Sequence, residues 1–143
     1  MLQPEKFVCI PYPQIDFLIP SEEVLSSVGV KDLNLSLLSD QESGFFDFDE
    51  IASKFIQIPR QADIKTMIIL RGDEKTRLSL LTTQECRVRI QPLNDFRVFS
   101  DFYCEQFKKL CLLACCFVED RLGILMDVKQ MINYMNDCLV EEL

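Results

Sequence analysis

The groups best suited to chemistry in this chain are thiols and carboxylates. Seven cysteines, Cys9, Cys86, Cys104, Cys111, Cys115, Cys116 and Cys138, stand in a sequence without histidine. Histidine is the commonest general base and the commonest metal ligand, and a cysteine nucleophile ordinarily needs a paired base. The cluster Cys111-x-x-x-Cys115-Cys116 raises zinc as a ligand. On a strand, however, Cys111 and Cys115 share a face while Cys116 points the other way, and no second pair follows at C-x-x-C spacing. The thiols are therefore expected as small core hydrophobes. Asp47, Asp49 and Glu50 form the densest local run of acids that a site could use. Negative charge at a helix N-terminus explains them without a metal. The glycines Gly29, Gly44, Gly72 and Gly123 are scattered near turns, so no phosphate-cradling loop can be built from them. Arg71-Gly72-Asp73 reads as a hairpin turn. The expectation is a protein with no catalytic residues, no cofactor and no metal site, and not an enzyme.

Charge narrows the partners. The 143 residues carry a net charge of −8 and the sequence pI is about 4.5. Nucleic-acid binders need a positive field to replace counterions on phosphate, so nucleic acid and anionic membrane surfaces are both unexpected. The residues Met1 to Lys6 contain no apolar leader. The longest apolar run, Leu110 to Val118, is far below the roughly 20 residues of a spanning helix. With an odd number of cysteines, this predicts reduced thiols in a cytoplasm and no membrane insertion.

The elements that would position these residues are mostly short strands. Phe7 to Ile10 and Ile15 to Ile19 read as a hairpin closed by Pro11 and Pro13. Pro20 to Glu23 opens a short helix capped by Ser21, with Val24, Leu25 and Val28 on one face and Gly29 as its stop. Leu33, Leu35 and Leu37 alternate with polar residues as a half-buried strand. Asp40 to Gly44 is turn chemistry, followed by a strand at Phe45 to Phe48 and a short helix over Asp49 to Phe55.

Thr66 to Arg71 and Arg77 to Thr82 flank a tight turn. Cys86 to Gln91 alternates strictly until Pro92 ends it. The aromatic stretch holding Phe96, Phe99, Phe102, Tyr103 and Phe107 reads as an irregular loop pinned to the core by its rings. Leu110 to Val118 is apolar on both faces, which predicts a central strand. Leu122 to Met126 follows, and Asp127 caps a last helix with Val128, Met131, Ile132, Met135 and Leu139 on one stripe.

The chain also echoes itself. Phe46-Asp47-Phe48-Asp49-Glu50-Ile51 and Met126-Asp127-Val128-Lys129-Gln130-Met131 both read strand, Asp, apolar, two polar, apolar. Nine or ten strands with three short helices predict an all-β barrel or sandwich. The connector Pro59 to Asp63 divides a single domain of residues 1–143 into approximate, interleaved halves 1–58 and 59–143.

From Phe7 to about Tyr134 the order of elements resembles the CheW-like domain of bacterial chemotaxis coupling proteins. The resemblance is carried by the paired segments Lys65 to Leu70 and Arg77 to Leu81, by Cys86 to Ile90 with its Pro92-Leu93 exit, and by Leu112 to Val128. Phe45 to Ala52 matches an earlier strand-Asp-apolar-helix element.

The resemblance implies two five-stranded β-barrel-like subdomains packed together. It also implies a non-enzymatic scaffold that joins chemoreceptor tips to the regulatory domain of a histidine kinase, at membrane-associated receptor arrays. Contacts would use exposed apolar barrel ends and the groove between subdomains. On this resemblance Leu35, Leu37 and Phe45 are the candidate partner-binding residues. The chain departs from the family where Asn-Leu-Arg-Gly is usual, reading Leu37-Leu38-Ser39-Asp40-Gln41-Glu42-Ser43-Gly44. It departs again at Ser79 and Thr82-Thr83, where Gly and Val-Asp are common. These changes bear on the binding surface. An unrelated β-barrel adaptor or regulator, serving flagellar or secretion machinery, is the competing expectation.

Overall fold

The computed structural model describes residues 5–29, 44–53, 56–58, 63–71, 78–98, 112–118 and 120–133. These form ten strands: β1 (Glu5–Tyr12), β2 (Ile15–Pro20), β3 (Val24–Gly29), β4 (Gly44–Asp47), β5 (Thr66–Leu70), β6 (Leu78–Thr82), β7 (Arg87–Gln91), β8 (Arg97–Val98), β9 (Leu112–Val118) and β10 (Arg121–Met126). A short helix, α1 (Phe48–Ala52), follows β4, and another helix begins at Val128 after β10.

The strands make two sheets. One has six strands in the order β7-β1-β2-β10-β9-β8, the other four in the order β3-β5-β6-β4. The mostly β architecture of two sheets is as expected. The division is six and four rather than five and five, and among the described residues neither sheet closes into a barrel. The four-stranded sheet takes the middle of the chain, while the six-stranded sheet joins both ends.

The hairpin β1–β2 is anchored by its loop, Pro13-Gln14. Proline presets the backbone at the first loop position, and Gln14 takes a positive φ of 68° at the second, as a type II turn demands. Pro11 is tolerated within β1 because the pairing with β7 stops at Cys9 opposite Arg87, so no partner on that side needs its missing N–H.

The segment after Pro20 departs from the helix expected there. Only Ser21–Glu23 turn, as a 3-10 helix without a side-chain cap, and Val24–Gly29 continues as a strand antiparallel to β5. Three turn residues are too few to propagate a helix, and Val24, Ser26, Ser27 and Val28 suit an extended edge beside β5 better.

The internal echo is real as local structure. β4 and β10 each pair in parallel, with β6 and β2 respectively. Each then ends at an aspartate that opens a helix. Asp47 accepts from the Asp49 N–H at 2.9 Å and Asp127 from the Gln130 N–H at 3.2 Å. A side-chain acceptor there satisfies a helix donor that has no partner inside the helix.

Cross-strand register divides the six-stranded sheet into two faces. One face, carrying Val8, Ile10, Tyr12, Phe17, Ile19, Ile124 and Met126, packs on Ile68, Leu70, Leu78 and Leu80 of the second sheet, with Phe48 between. The opposite face carries a smaller cluster of Phe7, Cys9, Leu18, Ala114, Cys116 and Leu125. Phe96 packs on it, with its ring centroid 5.5 Å from that of Phe7. That ring is pinned as expected; Phe99, Phe102, Tyr103 and Phe107 lie outside the described residues.

The strand expected to be central is not. β9 stands next to the two-residue β8, and the middle of the sheet is β2 and β10. Phe117 is 75% exposed and Leu113 is exposed as well, while Ala114 and Cys116 are buried. An apolar run with no polar alternation cannot say which of its faces lies beyond the reach of the facing sheet.

Candidate interaction surface

Two buried carboxylates organise the polar groups of the fold. Asp16 lies on β2, on the face with Cys9 and Leu18, and its side chain is only 1% exposed. Three arginines converge on it. Arg89 on β7 donates from Nη1 to Oδ2 at 2.9 Å. Arg121 on β10 donates from Nε to Oδ2 at 3.1 Å and from Nη2 to Oδ1. Arg87 is further off at 3.8 Å. Arg121 Nη2 also donates to the Tyr12 carbonyl at 2.8 Å, which fastens the β1–β2 turn to β10. A carboxylate gripped by a guanidinium through two nitrogens makes the strong, planar kind of ion pair. That pairing raises the Arg121 guanidinium further above its ordinary value.

The second carboxylate, Asp49, has no cation among the described residues. It sits at the start of α1, and among the described residues the groups that donate to it are neutral. The Tyr12 hydroxyl donates to Oδ1, the Thr82 hydroxyl to the same oxygen at 3.0 Å, and the Thr83 hydroxyl to Oδ2 at 2.5 Å. Tyr12 belongs to the six-stranded sheet, Thr82 to the four-stranded one, so this carboxylate ties the sheets and α1 together. Burial first, and then the bond to Asp49, push the Tyr12 hydroxyl well above its ordinary value. The two threonines at Thr82-Thr83, where the resembled family has other residues, are donors in this cluster.

The described thiols are in the core or half-buried, and free: Cys9 and Cys116 are buried, Cys86 and Cys115 intermediate. Desolvation is the largest influence on three of them, pushing Cys9 and Cys116 upward and Cys86 up to about 11. A thiol held neutral at pH 7 is a poor nucleophile. Among the described residues no group of three or more cysteines or carboxylates is arranged to hold a metal. Cys104, Cys111 and Cys138 lie outside the described residues.

The surface itself is uneven. β7 alternates as its sequence suggests, but the apolar row faces out: Val88 is 67% and Ile90 60% exposed, while Arg89 is half-buried and Gln91 buried. Asp16 draws Arg89 inward. Val88 pairs with the buried Val8, so it lies on the face that packs the core, at a strand the narrower four-stranded sheet does not cover. The signal in sequence was the Arg-apolar-Arg-apolar pattern of Arg87 to Ile90, which sets the two rows but not which one is buried.

Of the residues expected to bind partners, Leu35 and Leu37 lie outside the described residues. Phe45 is on β4, the edge strand of the four-stranded sheet, with its Cα in register with Ser79. Among the described residues no helix is long and apolar enough to cross a membrane.

No protein-family model matches this chain, and no curated protein matches it significantly. Among solved structures it is similar to the crystal structure of the scaffolding protein TtCheW from Thermoanaerobacter tengcongensis. The TM-score is 0.57 and the identity 11%, over 86% of this chain and 88% of that one. At so low an identity the likeness is one of fold, and the fold is CheW-like.

Proposed function

We propose that this chain is a non-enzymatic scaffold in bacterial chemotaxis signalling, coupling chemoreceptors to a histidine kinase by protein–protein binding. The observation that supports this is the CheW-like arrangement of strands across 86% of the chain, shared with a protein described as a scaffold. The partners would be the regulatory domain of a chemotaxis kinase, the tip of a chemoreceptor, or both, met in the cytoplasm at receptor arrays. Leu35, Leu37 and Phe45 would contribute apolar anchors. A few such anchors inside a polar rim suffice for a specific interface.

The test is a calorimetric titration of the full chain with a kinase regulatory domain and, separately, with a receptor-tip fragment. Binding to either, weakened about tenfold or more by Phe45→Ala or Leu35→Ala, is the expected result; a hot-spot truncation costs more than about 1.4 kcal/mol, a factor of ten. Absence of binding to both at high concentration moves the function to an adaptor outside chemotaxis.

A further inference from the structure

β7 is an edge strand with two chemically distinct rows. Among the described residues it pairs only with β1, so alternate residues turn N–H and C=O groups away from the sheet. One row is cationic, Arg87 and Arg89. The other is apolar and exposed, Val88 and Ile90. Among the described residues the only carboxylate within ion-pairing distance of this row is Asp16. Arg87, Arg89 and Arg121 share it, three positive charges against one negative within ion-pairing distance. Glu5, opposite Gln91, and Glu85, two residues before Arg87, stand at the two ends of this row, and Arg87 between them is its most exposed cation, at 60%. The chain as a whole carries a net charge of −8.

We infer that β7 is the docking edge for an extended acidic segment of a partner protein, in which carboxylates alternate with apolar residues. Added as a further strand, such a segment would place its carboxylates on the Arg87–Arg89 face. Its apolar side chains would cover Val88 and Ile90 on the opposite face. The backbone supplies affinity and the two rows supply selectivity. A second copy of this chain is the wrong occupant. β7 against β7 would set arginine rows beside each other, and like charges directly across strands are destabilising. A guard against self-association alone would need only the charges, not two exposed apolar side chains between and beyond them.

The probes are synthetic peptides titrated into the full chain and followed by backbone amide shifts. The first is a capped peptide of alternating Glu and Val. The controls are the same residues in two blocks, an alternating Lys-Val peptide, and the Glu-Val peptide methylated at alternate backbone nitrogens. The alternating acidic peptide should bind with shifts centred on β7, and binding should weaken with salt. The block peptide should bind about tenfold more weakly, a difference of about 1.4 kcal/mol, and the lysine and methylated peptides should not bind. Arg87→Glu should weaken binding about tenfold without changing the circular dichroism; Val88→Lys is the second variant, aimed at the apolar row.

Equal binding of block and alternating peptides would overturn the inference, because it would leave only charge attraction. So would shifts centred elsewhere, tight binding of oligothymidylate, self-association through β7, or no binding at millimolar peptide. The docking edge rests on β7 alone and not on the chemotaxis reading. Failure of the peptide titration leaves the kinase and receptor titrations untouched, and the reverse holds too.

Discussion

Asp16 and Asp49 are both buried carboxylates, and the chain solves the same problem twice in opposite ways. Asp16 is met by more positive charge than it can neutralise. Asp49 is met by three hydroxyls and no cation among the described residues. The first arrangement keeps its surplus near solvent, since Arg87 and Arg121 are 60% and 36% exposed. The second is closed and lies between the sheets. One carboxylate therefore shapes a surface, while the other fixes the relation of two sheets and a helix. Burying a charge is tolerable only when its lone pairs are filled; how they are filled decides what else the site can do.

The harshest way to break this comparison is a third carboxylate with neither solution. Ala114→Asp places one among Phe7, Cys9, Leu18, Cys116 and Leu125, a cluster of apolar side chains and thiols. An unpaired buried charge costs several kcal/mol against a total stability of about 5–15 kcal/mol, so the variant should be unfolded or nearly so by circular dichroism. Cys115→Asp, one residue on and only half-buried on the other face, should remain folded. Equal damage from the two would show that β9 is enclosed on both faces.

Next comes removal of the shared acceptor. Asp16→Ala should cost about 3 kcal/mol in urea denaturation, the low end for breaking a buried pair, because two of the stranded arginines reach water. A loss under about 1 kcal/mol would mean that the arginines hold the β1–β2 turn without it.

The hydroxyl cluster predicts a smaller loss and a pH signature. Tyr12→Phe should cost about 1–2 kcal/mol at neutral pH, since Asp49 keeps both threonines. The Tyr12 hydroxyl is raised above its ordinary 10.0 in the fold. Its contribution is complete below pH 10. Above that, the unfolded chain ionises while the folded one resists, and stability is lost as pH climbs toward the folded value. Tyr12→Phe should flatten this alkaline decline in denaturation midpoints measured from pH 8 to 11. An unchanged slope would assign the decline to other groups.

Much of this frame was legible in the sequence. The strand-Asp-helix echo is visible because a cap needs one residue type at one place, and Asp47 and Asp127 supply it. The β5–β6 hairpin and the last hairpin follow from short apolar runs bounded by turn residues. What was not legible depended on distant partners. Nothing local says that Asp16 will be enclosed by arginines from residues 87, 89 and 121, or that Asp49 will meet Tyr12 and Thr82. The Val24–Gly29 strand was missed because Ser21, Glu22 and Glu23 look like a helix start, while the pairing with β5 that overrides it lies some forty residues on. The exposure of Phe117 was missed for a related reason. Alternation and hydrophobicity describe a strand's two faces, whereas the width of the opposing sheet decides which face is covered.

The finest distinction lies within the arginines. Arg89 is mostly enclosed and 2.9 Å from Asp16, whereas Arg87 is 60% exposed and 3.8 Å away. An exposed pair at that separation is worth about 0–1 kcal/mol, and Asp16 has already been satisfied by Arg89 and Arg121. Arg87→Ala should therefore shift the denaturation midpoint by no more than the equivalent of about 0.5 kcal/mol, while Arg89→Ala should cost clearly more. A large loss at Arg87 would make it a structural partner of Asp16. A negligible one leaves a cation held on the β7 edge that the fold itself does not require.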